Sequence, residues 1–147
     1  MDYKKVVDLI DANRGKVDFG AFGSGVDDIW IEKAQKRLRV RFPPSFVWWL
    51  KNYGGGAIDG DEIFSVYEMD FDSVVGGDIV YINELYQEKG FATPGELFIQ
   101  KSDFGEDYYI DLNQIDDRAE SPIYVAPPGV KYAEDFLHFL EKKINEQ

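Results

Sequence analysis

The segment from Ile31 to Gly56, IEKAQKRLRVRFPPSFVWWLKNYGGG, constrains the fold more than any other part of the chain. Ile31, Ala34 and Leu38 recur at helical spacing with Lys33, Lys36, Arg37 and Arg39 between them, which predicts a helix with a narrow apolar stripe and a basic outer face. Asp27 and Asp28 stand where a helix start favours carboxylates, and Ser24 is a competing cap. Pro43 and Pro44 break that helix, because proline lacks the backbone donor and pushes the preceding residue out of the α region. Proline is nevertheless well suited to the first turn of the next helix. Phe46, Trp49, Leu50 and Tyr53 then repeat at i, i+3, i+4 and i+7, an aromatic stripe that must face a core, and Gly54, Gly55 and Gly56 supply a left-handed cap and a turn. Trp48 falls beside the stripe, at the core edge or in a surface groove.

This pattern resembles the SUKH superfamily, the immunity-protein fold that also includes a fungal regulator of cell-wall synthesis. The matching positions are Ile31, Ala34 with Gln35, Leu38 with Arg39, Phe42 with Pro43, Phe46, Trp49 with Leu50, and Tyr53 with Gly54 and Gly55. Gln35 replaces the usual glutamate and Arg39 the usual glycine; neither removes a core contact. The likeness extends more loosely through Glu96 to Val125 and a closing helix with Phe136 and Leu140. It implies a binding protein that neutralises a cognate toxin, commonly a nuclease; the fungal relative suggests a regulatory or scaffolding module as the alternative.

A chain of 147 residues, 44% hydrophobic and 16% aromatic, is long enough to bury one core without staples, and no composition shift marks a linker. The expected architecture is α+β, a single SUKH-like domain over residues 1–147 with a mainly antiparallel sheet packed against several helices. Asp2 to Ala12 reads as a first helix and DFGAFGSG at 18–25 as a loop. Glu62 to Tyr67 reads as a short strand, and Asp78 to Lys89 as a helix capped by Gly90. Glu96 to Lys101, Asp107 to Asp111 and Ile123 to Val125 read as an antiparallel meander with a hairpin turn at Asp103 to Gly105. Pro127, Pro128 and Gly129 are expected to end the sheet, and Tyr132, Phe136, Leu140 and Ile144 to place a last amphipathic helix against it.

Without cysteine, disulfides, zinc thiolate sites and a thiol nucleophile are excluded. The amino terminus is charged every few residues, unlike a signal peptide, and no stretch approaches a membrane span; a cytoplasmic location is expected. The lone His138 cannot assemble a histidine metal site and reads as a packing residue. Gly20, Gly23 and Gly25 make no phosphate-binding fingerprint. Asp59, Asp61 and Glu62, like Asp70 and Asp72, lack the calcium-loop spacing, and no carboxylate pair is selected as glycosidase machinery. The expectation is a non-enzyme with no metal and no cofactor.

Charge is the remaining signal. The net charge is −12, with residues 1–51 carrying 10 basic and 7 acidic side chains and residues 52–147 carrying 6 and 21. Asp59, Asp61, Glu62, Asp70 and Asp72 form one acidic run, and Asp103, Glu106 and Asp107 belong to a second. Such a surface repels nucleic acid and attracts cationic partners, although solvated acidic loops alone also keep a protein soluble. Tyr108 and Tyr109 are adjacent in a strand, so one must point outward as a candidate contact. These acids, the tyrosine pair and Trp48 are the candidate partner-binding residues, with a basic nuclease toxin as the expected partner.

Overall fold

The computed structural model describes residues 1–146. Among these, five helices and seven strands alternate as α1 (Tyr3–Ala12), β1 (Val17–Phe19), α2 (Asp28–Leu38), α3 (Pro44–Tyr53), β2 (Gly56–Ile58), β3 (Asp61–Ile63), α4 (Ile79–Glu88), β4 (Glu96–Lys101), β5 (Asp107–Asp111), β6 (Ile123–Ala126), β7 (Val130–Ala133) and α5 (Phe136–Asn145). The strands form one antiparallel sheet in sequence order, β1 to β7. Its inward residues, among them Ile58, Ile63, Ile99, Ile110 and Ile123, meet Val6 and Ile10 of α1, Phe46, Trp49 and Leu50 of α3, and Phe136, Phe139 and Leu140 of α5 in one apolar core. The α+β fold expected from the sequence is the fold observed.

The helix and proline signals translate directly. Asp27 is the N-cap of α2, Pro44 opens α3, and Gly54 ends it in the left-handed conformation, its N–H bonded to the Leu50 carbonyl. Gln35 uses its side-chain oxygen to accept the Phe42 N–H at 2.7 Å, so it pins the connection between α2 and α3 as a carboxylate would. Arg39, standing where the family pattern has glycine, is the left-handed C-cap of α2 with φ 58°. A Cβ disfavours that conformation by about 1–2 kcal/mol. Arg39→Gly is therefore expected to leave stability level or raise it by up to about 1 kcal/mol, after the added freedom of the unfolded glycine, as read from denaturant midpoints; a clear loss would show that the arginine side chain makes the cap.

Three strands were hidden in the sequence. The glycine-rich stretch read as a loop begins with β1, and the glycine triplet read as a turn runs into β2. Pro127 to Gly129 do not end the sheet: they form a turn, with both X–Pro peptides cis, that returns the chain as β7 beside β6. Tyr132 consequently lies in β7 rather than on the last helix.

The glycine loop has a structural task. Gly23, Gly25 and Val26 donate their N–H groups to the Asn52, Lys51 and Leu50 carbonyls, which satisfies acceptors at the C-terminal end of α3. A Cβ on Gly25 would stand well inside contact distance of the Leu50 and Lys51 carbonyl oxygens, so only glycine lets the two backbones approach this closely.

A second local solution sits at β4. Strand β3 meets β4 at only one register pair, Ile63 with Gln100, and buried Asn83 of α4 takes over beyond it. Its side chain accepts from Phe98 N at 2.8 Å and donates to Phe98 O at 3.0 Å, replacing the missing strand.

Buried Glu120 tethers the loop after β5 to the start of α3. It accepts from Ser45 N at 2.9 Å and from the Ser45 hydroxyl at 2.6 Å, supplying the cap that Pro43 cannot. Burial raises its carboxyl above the ordinary glutamate value, Asp135 adds to the rise, and the Ser45 bonds and Arg118 oppose it. A carboxyl raised in the folded state contributes stability that is complete below its unfolded value and is lost as pH climbs through the folded one. Between about pH 4.5 and about pH 7, Glu120→Gln should therefore gain stability relative to the parent protein as pH rises. Urea midpoints of both proteins across that window test this, and a difference independent of pH would rule it out.

Candidate functional site

The two acidic runs that are 40-odd residues apart in sequence converge at one end of the sheet. The β2–β3 turn carries Asp59 and Asp61, the β4–β5 turn carries Asp103 and Glu106, and a groove of about 270 Å³ lies between them. Gln100 and Tyr108 line it from the sheet, and Lys143 and Glu146 from the end of α5. Phe104, at the tip of the β4–β5 hairpin, is 92% exposed on its rim.

The electrostatics follow from crowding carboxylates beside apolar walls. Burial raises the Asp61 carboxyl, and Asp103 raises it further. Burial lowers the Lys143 ammonium, against the opposing pull of Glu146, Glu106 and Asp61. That ammonium lies 3.8 Å from the Tyr108 ring centroid and 3.7 Å from a Glu146 oxygen, and its side chain is only 11% exposed. The Tyr108 hydroxyl is pushed up to about 12, first by burial and then by Glu106, Glu146 and Asp61.

Other expected contacts lie elsewhere. Glu62 alternates to the opposite face of β3 from Asp61 and accepts the Tyr67 hydroxyl at 2.5 Å, so it does not join the groove. Asp70 closes its own loop by accepting Asp72 N at 3.0 Å. Asp72 pairs with Arg37 at 2.8 Å, and Arg37 also grips Glu84 at 2.7 Å, which ties that loop to α2 and α4. The tyrosine pair divides: Tyr109 is outward, whereas Tyr108 is 4% exposed beneath Lys143 and Tyr132 and is withdrawn as an anchor. Asp107 shares Tyr109's face and accepts the Tyr86 hydroxyl at 3.0 Å.

On that outer face Tyr109 packs between Phe98, at 5.1 Å, and Tyr124, at 5.8 Å, in an aromatic row edged by Asp107 and Asp111. Trp48 is half-buried against Tyr3 and Tyr53 and lines a separate groove of about 520 Å³ with Arg41, Val47 and Ile115. Trp30, half-buried too, meets Phe71 edge-on. His138 accepts the Glu134 N–H at 3.0 Å, a local bond at the start of α5.

The sequence reading missed Gln100, Phe104, Lys143 and Glu146. Three of them left a signal: a glutamine directly after the apolar run Leu97-Phe98-Ile99 of a strand, a phenylalanine inside a turn, and a lysine four residues after Phe139 on the buried side of α5. Among the described residues no group of three or more His, Asp or Glu is placed to hold a metal ion, and no helix is long and apolar enough to cross a membrane.

The fold thus joins an antiparallel sheet with helices over its inner face, a convergent acidic end and an aromatic outer face. A family model of the SUKH type, SUKH_6, described as SMI1-KNR4 cell-wall, matches residues 28–140, and the chain belongs to the SUKH superfamily.

Proposed function

We propose that this chain is an immunity protein that inhibits a cognate bacterial toxin by stoichiometric binding, without catalysis of its own. The observation that carries the reading is the convergence of Asp61, Asp103 and Glu106 around an exposed Phe104: carboxylates for a cationic partner surround a single apolar anchor. Membership of the SUKH superfamily supports a protein as the partner. A basic nuclease fits best, since the acids would occupy the surface it uses for phosphates, and carboxylate fields speed encounter while buried aromatic anchors set residence time. Mixing the chain with the toxin encoded beside its gene should give a complex at low salt and loss of toxin activity at equimolar ratio. No association, with toxin activity untouched by excess chain, would reject the reading.

The family description also names the cell wall, and with the resemblance to a fungal regulator of cell-wall synthesis this favours a regulatory or scaffolding module as the second reading. A pull-down dominated by housekeeping proteins, with no toxin gene nearby, would select it.

Tyr109 provides a test of how far the binding surface spreads. Tyr109→Ala should change stability by no more than about 0.5 kcal/mol if its half-exposed ring packs only along the outer row, yet weaken the complex by about 1–2 kcal/mol if that row is covered by the partner. Thermal melts and a titration of the toxin read both. Unchanged affinity would confine the interface to the acidic end.

A further inference from the structure

The groove between the β2–β3 and β4–β5 turns is lined by more acceptors than the fold pairs with cations. Gln100 is 1% exposed, and its Nε2 donates to the Asp61 carbonyl at 3.0 Å, which fixes the orientation of the amide. Among the described residues its Oε1 has no hydrogen-bond partner. A buried carbonyl oxygen left without a donor carries a desolvation penalty, so this residue is conspicuous in a well-packed strand.

Five carboxylates surround the same groove, those of Asp59, Asp61, Asp103, Glu106 and Glu146, against the single ammonium of Lys143. Asp59 is engaged by Lys16 at 3.5 Å, and Glu146 by Lys143 and the Tyr132 hydroxyl. Among the described residues, no ion pair reaches Asp61, Asp103 or Glu106. Lys143 makes no ion pair with them: it is held over the Tyr108 ring and pairs with Glu146.

We propose that the groove is a receptor for one cationic side chain, an arginine guanidinium or a lysine ammonium, presented by a protein partner. The cationic head bonds the Gln100 oxygen and the Asp61 and Glu106 carboxylates, and the aliphatic stem lies along Phe104 on the rim. A volume of about 270 Å³ admits such a head and excludes a folded element. Burial first, and then Asp103, raise the Asp61 carboxyl, with Lys143 opposing them. As the identity of the partner as a toxin rests on the reading above, the test begins without one.

N-acetyl-arginine methylamide is titrated into the protein and followed by ¹H–¹⁵N spectra, with the neutral isostere N-acetyl-citrulline methylamide as control. The expected result is a saturable shift of the Gln100 side-chain amide and of the Asp61 and Glu106 backbone amides. Binding should weaken by about tenfold or more for citrulline and for Asp61→Asn with Glu106→Gln, because charge-assisted bonds are lost. Gln100→Leu should weaken it several-fold, and Glu106→Gln alone, at a half-exposed turn position, serves if either of the other variants fails to fold. No saturable shift at these residues, or equal shifts with citrulline, overturns the proposal. The same variants are then mixed with the toxin. If the arginine probe binds and the toxin does not, the groove stands and the immunity reading fails; if the toxin binds undiminished to every variant, the reading stands and the groove is not its anchor.

Discussion

Trp49→Ala should destabilise the protein by about 3–5 kcal/mol, the usual cost of deleting a fully buried large aromatic side chain. A domain of this kind has only about 5–15 kcal/mol in total, so the variant sits near the edge of folding. The expectation comes from where the ring lies. Trp49 is fully buried in the middle of α3, with ring centroids 5.4 Å from Phe19, 6.1 Å from Phe46 and 5.7 Å from Phe136. It therefore joins β1, α3 and α5, and its removal opens a cavity that three elements would have to close. The melting temperature should fall by on the order of 10 °C. Trp49→Phe should cost much less, because among the described residues the indole N–H has no hydrogen-bond partner and phenylalanine removes that buried donor while keeping most of the ring. Urea or thermal melts of both variants decide the matter. An alanine variant within about 1 kcal/mol of the parent would overturn the assignment of this helix face, and one that stayed folded but lost partner binding would move the interface to α3.

That helix face was legible because it depends on spacing alone: Phe46, Trp49, Leu50 and Tyr53 are all buried as their intervals require. Proline and glycine signals fared as well at Pro44, Gly54 and Gly90, where the chemistry is local. What the sequence did not display were elements too short to carry a period. Strands β1 and β2, three residues each, and the four-residue β7 are defined by hydrogen bonds to distant neighbours, so a run such as Gly56-Ala57-Ile58 reads as the tail of a turn until β1 and β3 lie beside it. The long-range bonds of Asn83 to Phe98 and of Glu120 to Ser45 are equally silent, since each joins residues 15 or 75 positions apart.

The site divides along the same line. Acidic composition pointed to two separate stretches of the chain, and the fold brings Asp59, Asp61, Asp103 and Glu106 from them to one groove. Strand alternation then separates what sequence adjacency joined: Glu62 turns away from Asp61, and Tyr108 goes under Lys143 while Tyr109 remains outside. Asp72 looked like one of a run of free acids, yet Arg37, distant in sequence, neutralises it. Runs of like charge reveal a surplus; only the fold reveals which members remain unpaired.

That distinction yields a kinetic expectation for the acidic end. Asp61→Asn, Asp103→Asn and Glu106→Gln together should slow association with a basic toxin by about tenfold or more at low ionic strength, because the field of unpaired carboxylates steers encounter. None of the three is part of an ion pair among the described residues, so stability should change little. At about 0.01 M salt the screening length is about 30 Å and at about 0.1 M about 10 Å, so the effect must shrink as salt is added. Glu62→Gln with Asp72→Asn removes two negative charges rather than three, and takes them from the other face of β3 and from the Arg37 pair. It should leave the rate within about twofold of the parent if position, rather than net charge, governs the encounter. Stopped-flow association at several salt concentrations separates the two sets. Slowing by both in proportion to the charge each removes would mean that the toxin senses only the overall charge of −12, and no slowing by the first set would take the groove out of the encounter altogether.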